Sequence, residues 1–93
     1  MITIKLDNKI ELEIYLILFE NPNGVNRNFL VNKIKKPRTT IYDNLVKLMN
    51  RKINSIPYVN KYYKHNNKNG RPITIFFIPK GIRNNFINFE IEK

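Results

Sequence analysis

The sequence predicts an α+β domain in which three helices precede a small sheet of two or three strands. Three observations carry this. The stretch Pro37-Arg38-Thr39-Thr40-Ile41-Tyr42-Asp43-Asn44-Leu45-Val46-Lys47-Leu48 has Ile41, Leu45 and Leu48 at i, i+4, i+7, one buried stripe of a helix. Upstream, the turn cluster Asn21-Pro22-Asn23-Gly24 separates two shorter helical patterns. Downstream, the basic tip Asn67-Lys68-Asn69-Gly70-Arg71-Pro72 leads into the apolar run Ile73 to Ile78, as a hairpin does. The 93 residues suffice for one domain. Its core is modest, so a partner subunit would add stability.

The elements follow in order. Residues 2–6 alternate, with Ile2, Ile4 and Leu6 apolar, which is a short strand pattern. Asn8 caps a helix, and Glu11 three positions on completes a capping box. That helix runs from Lys9 to about Glu20, with Ile10, Ile14, Ile17 and Leu18 on its core face. A hairpin competes here, because Ile10, Leu12, Ile14, Leu16 and Leu18 also alternate, but twelve residues suit a helix better. Asn26 caps a second helix through about Lys35, with Phe29, Leu30 and Ile34 inward. The third helix spans about Arg38 to Arg51, with Pro37 in its first turn, where the missing N–H is harmless. Strands are expected over about Ile56 to Lys64 and Pro72 to Ile78. Tyr58, Tyr62, Tyr63, Phe76 and Phe77 serve mainly as core there, against the alternative of a stacking platform for single-stranded nucleic acid. The tail, residues 84–93, fits either a strand (Ile87, Phe89, Ile91) or a helix (Ile82, Phe86, Phe89).

Charge is unevenly spread. Residues 1–23 carry two lysines against four acids, a balance of −2; residues 24–83 carry fourteen Lys and Arg against Asp43 alone, +13; residues 84–93 balance at −1. A concentrated positive field attracts polyanions. A Lys- and Asn-rich composition alone produces basic proteins, but it does not confine the surplus to the middle. The chain has no cysteine, which excludes a disulfide framework and a thiolate metal site. His65 is the only histidine, and the carboxylate pairs Glu11/Glu13 and Glu90/Glu92 read as solvated edges rather than acid–base machinery. No phosphate-cradling glycine loop is present. The expectation is a non-enzymatic protein without cofactor, metal or evident small-molecule effector. Nothing resembles a signal peptide, and the apolar run Ile14 to Phe19 is too short to span a bilayer. An intracellular, nucleoid-associated location is expected.

A helix of this kind followed by a basic hairpin is the outline of a winged helix-turn-helix. The pattern Arg38, Thr39, Tyr42, Asp43, Leu45 resembles the start of the recognition helix in TrmB-type archaeal regulators. The segment Asn69-Gly70-Arg71-Pro72 through Ile78-Pro79-Lys80-Gly81 is similar to the wing and wing exit of MarR- and PadR-type proteins. The likeness covers about residues 9–83. It implies a DNA-binding transcription regulator with the third helix in the major groove and the wing on flanking backbone. Two segments depart from it. Lys35-Lys36 and Lys52 stand where such proteins often carry glycine, and a lysine adopts the left-handed cap only at a cost. A sensing domain is not expected, so ligand sensing is not carried over from the resemblance.

The candidate base-contact residues are Arg38, Thr39, Thr40, Tyr42, Asp43 and Lys47, the side-chain types that read base edges and phosphates. An ordinary solvated helix face is the alternative. Tyr42 packs equally well against the second helix, and Asp43 pairs equally well with Arg38 or Lys47. The wing candidates are Lys64, Lys68, Asn69 and Arg71; Arg27, Lys35 and Lys36 are candidates for the DNA backbone. The partner expected is double-stranded DNA. The other readings are a chromatin-type architectural protein, a protein-interaction module with the same fold, and a small RNA-binding protein. A homodimer is expected from the chain ends, where Ile2, Ile4, Leu6, Phe86, Ile87, Phe89 and Ile91 exceed what a minimal domain needs. Twofold pairing would set two recognition helices about 34–36 Å apart on a palindromic site. The competing expectation is that both ends fold back onto their own domain.

Overall fold

Asn8 opens the helical part of the chain. In a computed structural model, which describes residues 1–65 and 70–91, its side chain accepts from the Glu11 amide at 2.9 Å. Helix α1 then runs Lys9–Glu20, so the competing hairpin is not adopted. The reciprocal bond lands one residue early, with Glu11 Oε1 accepting from the Asp7 amide at 2.8 Å. Ile14, Tyr15 and Leu18 are fully buried. Ile10 and Ile17, expected at the centre of the face, are only half-buried. The stripe is rotated toward Tyr15 because that side chain packs edge-on against Phe19, Tyr58 and Phe89, at centroid separations of 5.8, 6.2 and 5.9 Å. Burial pushes the Tyr15 phenol far above its ordinary pKa, with Tyr58 adding to the rise and Arg83 opposing it. The hydroxyl therefore stays protonated and donates to the Tyr58 carbonyl at 3.1 Å.

Helix α2 (Arg27–Ile34) starts where Asn26 accepts from the Phe29 amide at 2.8 Å. Leu30 is buried as expected, but Phe29 is 37% exposed, under the Lys33 ammonium rather than in the core. Lys35 ends the helix at φ 63°, ψ 46°, the left-handed conformation usually left to glycine, and its amide donates to the Val31 carbonyl. Helix α3 (Arg38–Asn50) follows at once. Pro37 stands one residue before it rather than in its first turn. Ile41, Leu45 and Leu48 are fully buried, as the spacing predicts. Asn44 shares their face at 7% exposure. Its amide nitrogen donates to the Thr40 carbonyl at 2.8 Å, and its oxygen accepts from Asn8 Nδ2 at 3.1 Å.

The single strand expected over 56–64 is broken. Strands β2 (Lys52–Ile53) and β3 (Ile56–Pro57) form a short hairpin. Its two turn residues, Asn54 and Ser55, both have positive φ, as the twist of a two-residue hairpin demands. Tyr58 and Val59 then dip into the core, and β4 (Asn60–Lys64) begins beyond them. It pairs antiparallel with β5 (Ile73–Phe77), Asn60 opposite Phe77 and Lys64 opposite Ile73. The other edge of β5 receives Val25, which exchanges two backbone bonds with Phe76 at 3.0 and 2.8 Å. Gly24 makes that approach possible: at φ 88°, a Cβ there would lie 2.6 Å from the Phe76 carbonyl oxygen and from Ile75 Cγ2. Tyr62 adds a hydroxyl bond to the Asn23 carbonyl at 3.1 Å. The hairpin is thus docked on the α1–α2 turn.

A four-residue helix, α4 (Lys80–Arg83), was not expected. Arg83 reaches back to the open end of α1, donating to the Leu18 and Phe19 carbonyls at 3.2 and 2.7 Å, with its guanidinium 4.9 Å from the Phe19 ring centre. The tail is a strand, β6 (Ile87–Ile91), parallel to β1 (Ile2–Leu6). The ends therefore fold back and pair with each other. Ile4 and Leu6 are fully buried, Ile2, Ile87 and Phe89 half-buried, and Phe86 and Ile91 exposed. The solvated edge expected at Glu11 is also corrected, because Glu11 is fully buried against Arg51. Burial alone would lower the Arg51 pKa, but its hydrogen bond and charge contact with Glu11 raise it. Among the described residues, the fold is α+β with four helices and three two-stranded sheets, and no helix is long and apolar enough to cross a membrane.

Candidate nucleic-acid interface

The first backbone bond into α3 is Ile41 to the Pro37 carbonyl, at 3.1 Å. The amides of Arg38, Thr39 and Thr40 precede it and have no carbonyl within the helix to meet. Pro37 supplies no side-chain cap. These amides add partial positive charge at the end where Arg38 is already exposed.

Beside this end lies a groove of about 660 Å³, walled by the starts of α2 and α3 and by the β4–β5 hairpin. Among the described residues, Arg27, Arg38, Lys61 and Arg71 bring four cations to it, Tyr42 and Tyr63 bring two aromatic rings, and no acid lines it. The Arg27 guanidinium sits 5.5 Å from the Tyr42 ring centre, so each side chain limits the other. Lys61 Nζ lies 5.9 Å from the Tyr63 ring centre. The hairpin reaches this position because Val25 and Tyr62 clamp it to the α1–α2 turn.

Arg27, Arg38, Tyr42 and Arg71 of the sequence-derived candidates thus meet at one groove. Tyr42 combines two expectations: it rests on Arg27 of the second helix and is still 41% exposed. Thr39, Asp43 and Lys47 are exposed on α3 outside the groove lining. Among the described residues Asp43 forms no ion pair with Arg38 or Lys47. Thr40 is half-buried and its carbonyl is taken by Asn44. Lys35 and Lys36 are exposed in the α2–α3 connection, and Lys64 is exposed at the end of β4. Lys68 and Asn69 lie outside the described residues.

Lys61 and Tyr63 also line the groove, with Asn26 and Asn28. The sequence singled out neither Lys61 nor Asn28, Asn26 only as a helix cap, and Tyr63 only as core or as part of the alternative stacking platform. A signal existed for Lys61 and Tyr63: residues 61 and 63 stand at i, i+2 and share one face of a strand. Of the five aromatics expected in the core, Tyr58 and Phe76 are buried and Phe77 half-buried, while Tyr62 and Tyr63 are 43% and 61% exposed. Two cations of the basic middle are withdrawn from any ligand, Arg51 by Glu11 and Asp7, and Arg83 by the end of α1. Among the described residues no group of three or more His, Cys, Asp or Glu side chains converges as a metal site. No family model, curated protein or solved structure matches the chain.

Proposed function

We propose that the chain is a winged helix-turn-helix protein that binds double-stranded DNA and regulates transcription. In this reading α2 and α3 are the helix-turn-helix and the β4–β5 hairpin is the wing. The observation that carries it is the acid-free groove in which Arg27, Arg38, Lys61 and Arg71 converge on the uncapped start of α3. A helix about 10–12 Å across fits a major groove about 12 Å wide. Arg38 and Thr39 then reach base edges first, Asp43 is available to a cytosine amine, and the Arg27-supported Tyr42 ring offers an apolar contact. Arg71, Lys61 and Lys64 follow the flanking phosphates, as do Lys35 and Lys36 at the turn.

Titration of duplexes across a salt series tests this. With about six phosphates engaged, log affinity against log salt falls with a slope of roughly −5. Arg38→Ala or Thr39→Ala weakens a preferred site by about 1–3 kcal/mol and blunts sequence preference. Lys61→Ala and Arg71→Ala weaken all duplexes alike and reduce the slope by about one each. A flat salt response rejects DNA binding. Equal losses on every sequence from all four substitutions mean an architectural protein instead.

Exposure of Tyr42 and Tyr63 in the same groove favours a second reading, single-stranded nucleic acid stacked on the two rings. An unstructured oligonucleotide that outcompetes its own duplex, with the advantage lost in Tyr63→Ala, selects it.

A further inference from the structure

The two edges of the terminal β1–β6 sheet differ. The Ile2 amide donates to the Phe86 carbonyl, so even-numbered residues of both strands turn their backbone groups toward each other. Odd-numbered residues turn theirs outward. On β1 the outward edge is closed at Lys5, whose amide donates to the Tyr58 hydroxyl at 3.4 Å and whose carbonyl accepts from Arg51 Nη1 at 2.9 Å. On β6 the outward groups belong to Ile87, Phe89 and Ile91, and among the described residues they have no partner. Parallel sheets are normally covered, and a two-stranded sheet is marginal alone. An open edge of this kind is a template for another strand.

We propose that β6 is the subunit interface of a homodimer, pairing antiparallel with β6 of a second copy about a twofold axis at Phe89 to give a four-stranded β1-β6-β6-β1 sheet. The strand is self-complementary in that register. Phe89 faces the partner's Phe89, and Ile87 faces the partner's Ile91. Glu90 faces the partner's Asn88, so no like charges stand opposite, and Lys5 flanks Glu90 within each chain. Leu12, Leu16 and Phe19, at i, i+4, i+7 on α1, form an apolar stripe on the flank of β6, since Phe19 packs edge-to-face against Phe89 and Leu16 is 41% exposed. The charge balance also favours this end. Residues 1–23 and 84–93 sum to −2 and −1, so two strongly basic chains meet here with least repulsion. The occupant is therefore a second copy rather than a foreign strand, and the pairing is isologous. This inference is independent of what the groove binds.

Sedimentation of the full chain tests it together with cross-linking. Ile91→Pro deletes one outward amide and leaves the inward amides of Asn88 and Glu90 on β1; a folded monomer is expected, with the dimer dissociation constant raised at least tenfold. In the proposed register residues 88 and 90 form a non-hydrogen-bonded pair across the axis, the close pair that a disulfide can bridge. The chain has no cysteine of its own. The double variant Asn88→Cys/Glu90→Cys is therefore expected to give a covalent dimer on oxidation, and neither single variant should. If Ile91→Pro fails to fold, the cross-link alone decides. A monomeric wild-type chain, or a dimer whose double-cysteine variant does not cross-link, overturns the proposal.

Discussion

Arg51 and Glu11 stand forty residues apart in the chain and meet as a two-pronged ion pair, Nη1 to Oε1 and Nη2 to Oε2, each at 2.9 Å. The same guanidinium pairs with Asp7 and donates to the Lys5 carbonyl. One side chain at the end of α3 thereby ties the start of α1 and the outer edge of β1. Glu11 is fully buried, so its carboxylate depends on this partner.

Arg51→Met should therefore destabilise by about 3–5 kcal/mol, because it leaves a buried charge unpaired. Adding Glu11→Gln should recover part of that loss by removing the orphaned charge. Urea unfolding of the two variants checks both statements. A loss below about 1 kcal/mol in Arg51→Met would show that the pair does not anchor the fold.

Asn44 lies among the apolar residues of α3 and holds two hydrogen bonds there, to Asn8 and to the Thr40 carbonyl. Asn44→Ala should cost about 1–3 kcal/mol, since it strands the Asn8 amide next to the α1 cap. Leu45→Ala should cost about 2–5 kcal/mol through the cavity it opens. Thermal unfolding of the pair separates the mechanisms, because Asn44→Asp keeps a hydrogen-bond acceptor toward Asn8, whereas no polar residue rescues position 45.

Gly24→Ala should destabilise by about 1–3 kcal/mol from backbone strain alone, and further because its Cβ meets the Phe76 carbonyl oxygen at 2.6 Å. The two Val25–Phe76 bonds should be the first to open. Faster amide exchange at Val25 and Phe76, with the Leu45 amide still protected, is the expected signature. Uniform loss of protection would instead mean that the hairpin and the helices unfold as one unit.

Alkaline stability should report Tyr15. Its folded pKa is raised by burial, so below pH 10, its ordinary value, folded and unfolded chains are both protonated and the stabilisation is complete. As pH rises past 10 only the unfolded chain loses the proton. Stability then falls by up to about 1.4 kcal/mol per pH unit. Tyr15→Phe should flatten this fall. Identical slopes above pH 10 would assign the alkaline transition to other groups.

What the sequence determined by itself is local. Asn8 and Asn26 mark where α1 and α2 begin because a cap acts over three residues, and Ile41, Leu45 and Leu48 mark the buried side of α3 because spacing alone sets a helix face. Arg27, Arg38, Tyr42 and Arg71 were legible as candidates from residue type and charge distribution. Their meeting at one groove was not, since it depends on Val25 and Tyr62 clamping the hairpin to a turn roughly forty to fifty residues upstream in the chain. Tertiary structure also decided which charges remain available. Glu11 and Arg51 each look like surface residues in their own segments, yet Glu11 is fully buried and Arg51 is committed to it, and Arg83 is spent on the last carbonyls of α1. The ambiguous tail became a strand because β1 offers its inward amides and carbonyls to it and because Tyr15 and Phe19 receive the Phe89 ring. In each case the deciding energy comes from pairing polar groups that water would otherwise hold, and which groups meet is a property of the folded chain, not of any window along it.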